Sequence, residues 1–275
     1  MRIFIIFLTI FLYSCVDKQE NKETTLQKSR IKIITCLGYK PTSKKGKISI
    51  DTLTSKATFK YDKNGNLTEA NYYDLKTNLV FSSDKREYDK RGNMIKTTFY
   101  NSSGKVVGID IYKYDNKNNQ IQKDNYWNGK LNGRLIRTYN YKSMIVIENI
   151  FDAVGKLQSK YSYKIDNNGN HLEDYDYNGK LYSKSTFQYD NKGNKIKEHS
   201  EAWELDTTND VIGYQYDEHN NEILRTITNL NKNIKSSVKT EYVYNKFGDW
   251  TKQMTTWSWS ADRQTEKREI EYFEK

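Results

Sequence analysis

The chain has 275 residues, a formal net charge of +10 and a mean hydropathy of −0.94. Only 36% of the residues are hydrophobic, which excludes a thick apolar core, whereas 23 tyrosines, 10 phenylalanines and 5 tryptophans exclude a disordered chain. The lysines are spread along the chain, often beside acidic residues, so the positive charge indicates a solvated strand face rather than a nucleic-acid site. Tyr, Thr and Ile between short Asn/Gly clusters are typical of a β protein.

The first fifteen residues predict export and lipidation. Arg2 precedes an apolar run over 3–13, which is typical of a secretory signal peptide at 1–14. The segment Leu12-Tyr13-Ser14-Cys15 resembles the bacterial lipobox. That resemblance implies that Cys15 is lipidated and becomes the first residue of the mature protein, anchored in the membrane by its acyl chains. The alternative is an ordinary signal peptide that happens to contain a cysteine.

The segment after the signal peptide, residues 15–30, is almost entirely polar and is predicted to form a flexible tether. Its acidic residues, shortly after Cys15, resemble the surface-export signals of Bacteroidetes lipoproteins. We therefore expect a protein of the cell envelope, held at the outer membrane by its lipid.

From residue 59 onward the chain is a tandem repeat with the pattern aromatic-x-Tyr-Asp-x-x-Gly-Asn. Phe187 to Ile196 is a complete copy. The second aromatic position recurs every 26–28 residues, apart from one gap of 22. It is occupied by Tyr61, Tyr88, Tyr114, Tyr141, Tyr163, Tyr189, Tyr216, Tyr244 and Tyr272. So regular a period predicts a repeat architecture.

The residues after each tyrosine predict a tight turn. Asp at the first position and Gly or Asn at the fourth indicate a type I turn closed by a residue in the left-handed conformation. The aspartates are Asp62, Asp89, Asp115, Asp190 and Asp217, and the left-handed positions are Gly65, Gly92, Asn118, Gly169, Gly193, Asn220 and Gly248. A second turn halfway along each repeat, such as Asn128-Gly129, predicts a hairpin, so each repeat holds two strands.

These patterns predict an all-β fold: a long antiparallel meander of roughly sixteen to eighteen strands, forming a twisted or curled open sheet. The two aromatic positions are two residues apart, so their rings share one face of the sheet. Residues 31–58 are predicted to form N-terminal cap strands, and residues 59–275 the repeat domain.

The repeated Tyr-Asp-x-x-Gly-Asn pattern resembles the YD repeat of bacterial Rhs proteins, over residues 59–273. In that family the repeats form long β-sheets that wind into shells, and large members enclose a toxin and end in a self-cleaving segment. The resemblance implies a sheet with repeated binding surfaces. With only eight or nine units, the chain is expected to be too short for a closed shell.

No catalytic, nucleotide-binding or zinc-protease fingerprint occurs, so the sequence predicts no enzymatic activity, no cofactor and no metal site. The three histidines, His171, His199 and His219, lie far apart in the sequence and are predicted to be solvated. The Asp62–Asn66 segment resembles a calcium loop but lacks the bidentate glutamate of an EF-hand.

The function predicted from the sequence is non-catalytic binding of a glycan or a protein, with no nucleic-acid partner. Trp203, Trp257 and Trp259 fall outside the repeat pattern and are the candidate ligand-binding residues, because the tyrosines are explained by packing. An alternative is an immunity or accessory lipoprotein of a polymorphic-toxin system. A third, for which no catalytic constellation is visible, is an envelope hydrolase. The sequence leaves the oligomeric state open.

Overall fold

The computed structural model describes residues 30–41, 51–167, 169–175, 179–203, 207–260 and 263–274. The predicted signal peptide at 1–14, Cys15 and the tether up to residue 29 lie outside the described residues. The strands are β1 (Ile31–Pro41), β2 (Asp51–Tyr61), β3 (Leu67–Tyr73), β4 (Val80–Tyr88), β5 (Met94–Asn101), β6 (Val106–Tyr114), β7 (Gln120–Trp127), β8 (Lys130–Asn140), β9 (Ile145–Asp152), β10 (Leu157–Ile165), β11 (His171–Tyr175), β12 (Leu181–Tyr189), β13 (Lys195–Ala202), β14 (Thr208–Tyr216), β15 (Glu222–Asn229), β16 (Ile234–Tyr244), β17 (Trp250–Trp257) and β18 (Arg263–Tyr272).

The sheet closes on itself. Consecutive strands pair antiparallel along the chain, and β1 pairs both with β2, where Ile34 lies opposite Phe59, and with β18, where Ile34 lies opposite Ile270. The fold is therefore an 18-stranded antiparallel barrel. The predicted twisted or curled open sheet is wrong. Closure satisfies the backbone groups that both end strands would otherwise leave exposed at open edges, and it places the predicted cap segment 31–58 beside the closure.

The two faces of the wall differ in exposure. In β4, Asp84 is buried and Arg86 is half-buried, whereas Lys85 and Glu87, which alternate with them along the strand, are exposed. Side chains crowd on the concave side of a closed sheet, so the less exposed face, which carries the tyrosine columns, lines the lumen. Substantial contacts join only neighbouring strands, so the wall is one layer thick. In barrels of this strand number the lumen is too wide to be filled by a core.

The best-buried apolar residues lie on the inner face of β1, β2 and β3. They are Ile34, Cys36, Ala57, Phe59, Leu67 and Ala70, each at most 6% exposed. Ile31, Tyr61 and Tyr72 pack against this cluster. Apolar packing is thus concentrated in the sector next to the β1–β18 closure, where burial of this kind stabilises the barrel most directly.

The turns after the even-numbered strands have the geometry that their sequence indicates. The seven Gly and Asn positions proposed for the left-handed conformation have φ between 64° and 88°. In the first of these turns, one carboxylate oxygen of Asp62 accepts hydrogen bonds from the backbone amides of Asn64 and Asn66, each at 2.9 Å. The side-chain amide of Asn66 donates to the other carboxylate oxygen at 2.9 Å. This explains the asparagine that ends the consensus, to which the sequence analysis gave no role.

The tyrosines also join successive hairpins. The hydroxyl of Tyr88 donates to the carbonyl of Leu67 at 2.7 Å, and the hydroxyl of Tyr216 donates to the carbonyl of Lys195 at 2.8 Å. A second set reaches the aspartate of the preceding turn, as Tyr141 does to Asp115, Tyr189 to Asp166, Tyr244 to Asp217 and Tyr272 to Asp249. Each bond crosses from one repeat to the previous one, so the tyrosines hold the turns together side by side.

These bonds distinguish the two ends of the barrel. We call the end where β1 begins, with the turns after even-numbered strands, the YD rim. The opposite end, with the connections after odd-numbered strands, is the far rim. Arg30 and Phe273 meet at the YD rim, where the backbone amide of Phe273 donates to the carbonyl of Arg30 at 2.8 Å.

Candidate functional site

The inner wall combines aromatic rings with paired charges. Acid–base pairs occur around the lumen at Arg86–Asp84 (2.8 Å), Lys123–Asp110 (2.9 Å), Arg137–Glu148 (2.7 Å), Lys195–Glu198 (2.7 Å) and Arg225–Glu222 (2.9 Å). A charge on the crowded inner face is tolerated when an opposite charge and hydrogen bonds compensate for lost hydration. The lumen wall is therefore polar and aromatic, with its charges largely balanced.

A cavity of about 400 Å³ opens in this wall between β8 and β12. It is lined by Arg137, Glu148, Tyr161, Ser162, Tyr163, His171, Asp174 and Tyr182. Its place follows from the register, in which Asp174 of β11 lies opposite Tyr163 of β10 and Ser183 of β12. These neighbouring strands bring the lining residues to one part of the inner wall.

Two sets of interacting side chains form the walls of the cavity. Arg137 Nε donates to Glu148 Oε2 at 2.7 Å, and Glu148 lies opposite Tyr161 in the β9–β10 register. On the other side the Tyr163 ring stacks on the His171 imidazole, with 3.9 Å between the ring centroids and an interplanar angle of 15°. Aromatic faces and fixed polar groups thus alternate around the recess.

Asp174 is the shared acceptor of the second group. His171 Nδ1 lies 2.8 Å from Asp174 Oδ1, and the Ser183 hydroxyl donates to Asp174 Oδ2 at 2.6 Å. Burial raises the pKa of the Asp174 carboxyl, but the hydrogen bonds from His171 and Ser183 outweigh it and hold the pKa below its usual value. Asp174 is therefore a fixed anion at neutral pH.

Arg137 and Tyr163, two further groups of the cavity, keep their usual protonation. Burial lowers the pKa of the Arg137 guanidinium, but Glu148 raises it further, so the net shift of the pKa is upward. Burial raises the pKa of the Tyr163 hydroxyl and outweighs the opposing influence of Arg137. The cavity presents a cation, carboxylates and neutral phenol rings.

This arrangement differs from a nucleophilic triad. In a triad the histidine lies between the hydroxyl and the carboxylate and accepts the hydroxyl proton. Here the Asp174 carboxylate lies in the middle, and the Ser183 hydroxyl donates directly to it.

The tryptophans predicted as ligand residues lie away from this cavity. Trp203 and Trp259 are 45% and 59% exposed and follow β13 and β17 at the far rim. Trp257, the last residue of β17, is half-buried at the same rim. Trp127 joins them at the end of β7, 53% exposed. It lies so close to Gly108 that a Cβ there would meet its ring at 3.2 Å.

His171 and His219 are exposed, in line with the predicted solvated side chains, whereas His199 is half-buried, and each of the three has a partner. His171 stacks in the cavity, His219 stacks on Tyr244 with 4.0 Å between ring centroids, and His199 Nε2 lies 2.8 Å from Asn209 Oδ1. The sequence analysis also missed Arg137 and Glu148. Nothing in the sequence marked them, since other repeats also place charged residues at inward positions, as Arg86 and Glu198 do.

The described part of the chain holds no group of three or more His, Cys, Asp or Glu residues arranged to bind a metal ion. In the Asp62–Asn66 segment, which resembles a calcium loop, the carboxylate is engaged by backbone amides. A membrane-crossing helix does not occur among the described residues.

The outer wall is charged. Its side chains form exposed ion pairs across neighbouring strands at Lys60–Glu69 and Lys96–Glu87, each 2.8 Å. Along β18 the outward residues Lys267, Glu269 and Glu271 are all exposed. A lipid-facing barrel presents an outward apolar band about 25 Å tall. The side chains of this wall instead suit contact with water.

No protein-family model matches the chain, and no curated protein matches it. It is similar to a porin-like protein from Bacteroides uniformis, at 10% identity and a TM-score of 0.44, covering 91% of this chain and 100% of that chain. It is similar to a TcdB2-TccC3-TEV chain at 13% identity and a TM-score of 0.33, covering 76% of this chain and 14% of that chain. Similarity to the Photorhabdus luminescens Tc holotoxin pore has 12% identity and a TM-score of 0.23, covering 88% of this chain and 16% of that chain.

The toxin chains are far longer than this one. Because these identities and TM-scores are low, the similarities support no inference about function. The likeness to the YD repeat rests on the motif and its hairpin geometry.

Proposed function

We propose that this protein is a non-catalytic binding protein of the cell envelope, tethered by a lipid on Cys15, and that the lumen cavity between β8 and β12 binds a glycan chain. The observation that carries the proposal is the cavity itself. Rings of Tyr161 and Tyr163 stand beside the Arg137–Glu148 pair and the fixed Asp174 carboxylate.

The chemistry of a sugar chain fits this lining. A pyranose has an apolar face of C–H groups and a rim of hydroxyls, and tyrosine rings offer an apolar surface with a polar tip. Arg137 supplies fixed donors, and the Glu148 and Asp174 carboxylates supply acceptors for hydroxyl groups. Tyr161 is 42% exposed, so its ring is available to a ligand in the lumen.

Charge favours a neutral glycan over a nucleic acid. A phosphate backbone needs lysine or arginine side chains free to neutralise it. In this cavity the guanidinium of Arg137 is already paired with Glu148, and Asp174 adds a second carboxylate. An anionic polymer would be repelled here.

The central test is titration of neutral oligosaccharides into the purified protein by calorimetry. We expect Tyr161→Ala to weaken binding at least tenfold, with the fold unchanged by circular dichroism. Tyr100→Ala is the matched control, because Tyr100 lies on the outer face, where Lys85 Nζ lies 5.7 Å from its ring centroid. Equal loss in both variants, or no binding to any neutral glycan, would contradict the proposal. Release of shorter sugars during the titration would contradict the non-catalytic role.

Lipid anchoring has a separate test. The water-facing outer wall supports a protein tethered to the membrane rather than embedded in it. We expect the wild-type chain to stay in the membrane fraction after washing and Cys15→Ala to be released. A mature protein in which Cys15 is joined to Cys36 by a disulfide, as seen by peptide mapping, would refute the anchor.

A further inference from the structure

The far rim exposes a ring of apolar side chains on its hairpin tips. Several of them are about half exposed or more: Leu79 (68%), Trp127 (53%), Val154 (87%), Trp203 (45%), Leu230 (51%), Ile234 (57%) and Trp259 (59%). They come from different hairpins, so the apolar groups encircle the mouth of the lumen. A ring of this kind, distributed over one end of a molecule whose walls are charged, indicates an interaction surface.

Lysines accompany these apolar residues. The exposed lysines of the far-rim tips are Lys76, Lys105, Lys130, Lys156, Lys180 and Lys232. In most tips the lysine follows or precedes an apolar residue directly, as Lys76 follows Leu75 and Lys105 precedes Val106. Most of these tips therefore combine an apolar side chain with a cation.

The carboxylates of the described tips are already engaged. Asp74 accepts hydrogen bonds from the backbone amides of Lys76 (3.1 Å) and Thr77 (2.8 Å). Asp152 accepts from the amides of Val154 (3.0 Å) and Lys156 (2.9 Å). These carboxylates stabilise their own turns, and the six exposed lysines outnumber them, so the described tips carry a net positive charge.

We propose that the far rim docks on an anionic lipid surface, with its apolar tips in the headgroup region and its lysines against lipid phosphates. Shallow insertion of apolar groups flanked by basic residues is how proteins lie on a bilayer without crossing it. Tryptophan favours the interface because its ring is apolar while its N–H remains hydrated. The charged outer wall stops insertion beyond the tips.

The length of chain outside the structure permits this contact. Strands of about nine residues at about 3.3 Å per residue give a wall about 30 Å high. The tether joins the barrel at the opposite, YD rim, and residues 16–29 span up to about 50 Å when extended. An anchor on Cys15 therefore allows the far rim to reach the bilayer that holds it, and the docking surface itself does not require the lipid.

The test is co-sedimentation of the mature chain from residue 15, carrying Cys15→Ser so that no acyl chain contributes, with vesicles. We expect binding to vesicles of phosphatidylglycerol and phosphatidylcholine, little binding to phosphatidylcholine alone, and weaker binding at high salt. The far-rim variant Leu79→Ser/Val154→Ser/Trp259→Ser should lose affinity at least tenfold. The matched control Ile95→Ser/Ile196→Ser/Val243→Ser replaces three exposed apolar residues of the strand ends at the YD rim and should bind as the wild type does.

Several outcomes would overturn the proposal. These are absence of sedimentation with anionic vesicles, equal binding to both vesicle types, or equal loss in the far-rim variant and its control. A self-association in solution that the far-rim variant abolishes would assign this surface to a second copy of the chain instead. Because the glycan titration uses Tyr161, a residue of the inner wall, failure of one proposal leaves the other standing.

Discussion

The YD rim and the far rim are made by the same hairpins, yet their side chains do different things. At the YD rim each turn carries an aspartate or an asparagine whose side-chain oxygen accepts from backbone amides, and tyrosine hydroxyls from the next repeat cross to the turn before. At the far rim, Asp74 and Asp152 bind only groups of their own hairpins, and the tips end in exposed lysines and apolar residues.

This difference assigns structure and ligand binding to different parts of the repeat. The residues that recur most strictly, Tyr, Asp, Gly and Asn, meet at the YD rim, where they fix the spacing of the hairpins. The far-rim tips vary in length and chemistry, although two of them are joined where the Asn231 side-chain amide donates to the Thr207 carbonyl at 2.9 Å. The strict part of the repeat therefore reports on structure, and ligand-binding residues are better sought in its variable part and at inward positions that depart from it.

The largest expected effect is that of alkaline pH, which should unfold the YD rim before the far rim. Burial raises the pKa of Tyr112 and of Tyr242 from 10.0 to about 12. Between these values the unfolded chain has lost the phenol protons that the folded chain keeps, so the free energy of unfolding falls as pH rises from 10 to 12. We expect YD-rim amides to exchange hydrogen before far-rim amides over this range. Constant stability up to pH 12, or opening of the far rim first, would contradict the comparison.

Removing one aspartate should lower the free energy of unfolding more at the YD rim than at the far rim. Asp217 accepts from the amides of His219 and Asn221, each at 2.9 Å, and from the Tyr244 hydroxyl. We expect Asp217→Ala to lower the free energy of unfolding by about 2–3 kcal/mol. The matched far-rim change, Asp152→Ala, removes bonds within one hairpin and should cost about 1 kcal/mol. Denaturant titration measures both, and equal losses would mean that the bond between repeats adds nothing.

The smallest expected effect comes from removing a single hydroxyl group. Tyr244→Phe keeps the ring stacked on His219 but removes the donor to Asp217, which should cost about 1 kcal/mol. The control Tyr100→Phe keeps its contact with Lys85, which uses the ring, and should change stability by less than about 0.5 kcal/mol. Thermal unfolding of the two variants measures the difference in stability. A loss in Tyr100→Phe as large as that in Tyr244→Phe would show that the hydroxyl bond is not specific to the YD rim.

Local features of the fold could be predicted because each depends on neighbours in sequence. Gly193 lies at a positive φ because the turn requires it, and Asp190 accepts from the amides of Lys192 and Asn194. The spacing of Tyr189 from Tyr216 gives the repeat length. Closure could not be predicted in this way. It depends on β1 meeting β18, and nothing in the alternation of either strand specifies a partner so distant in the chain.

The cavity escaped prediction for a related reason. His171 and Tyr163 are eight residues apart across a turn, but Arg137 and Ser183 come from other repeats. They meet through the pairing of β8 to β12, and the partner of a strand from another repeat cannot be read from the strand itself. The tryptophans were visible as departures from the repeat, yet their common position at the far rim follows from the direction of β13 and β17.

The meeting of Arg30 and Phe273 at one rim has a consequence for how such barrels change size. Because β1 begins and β18 ends at the same rim, the ring consists of whole up-and-down pairs. Duplication or deletion of one repeat would preserve strand polarity at the junction and alter the circumference by a single pair. The same adjacency makes the described barrel suitable for circular permutation, with the cut moved to any hairpin tip. The bore is then a quantity that tandem duplication can adjust in steps.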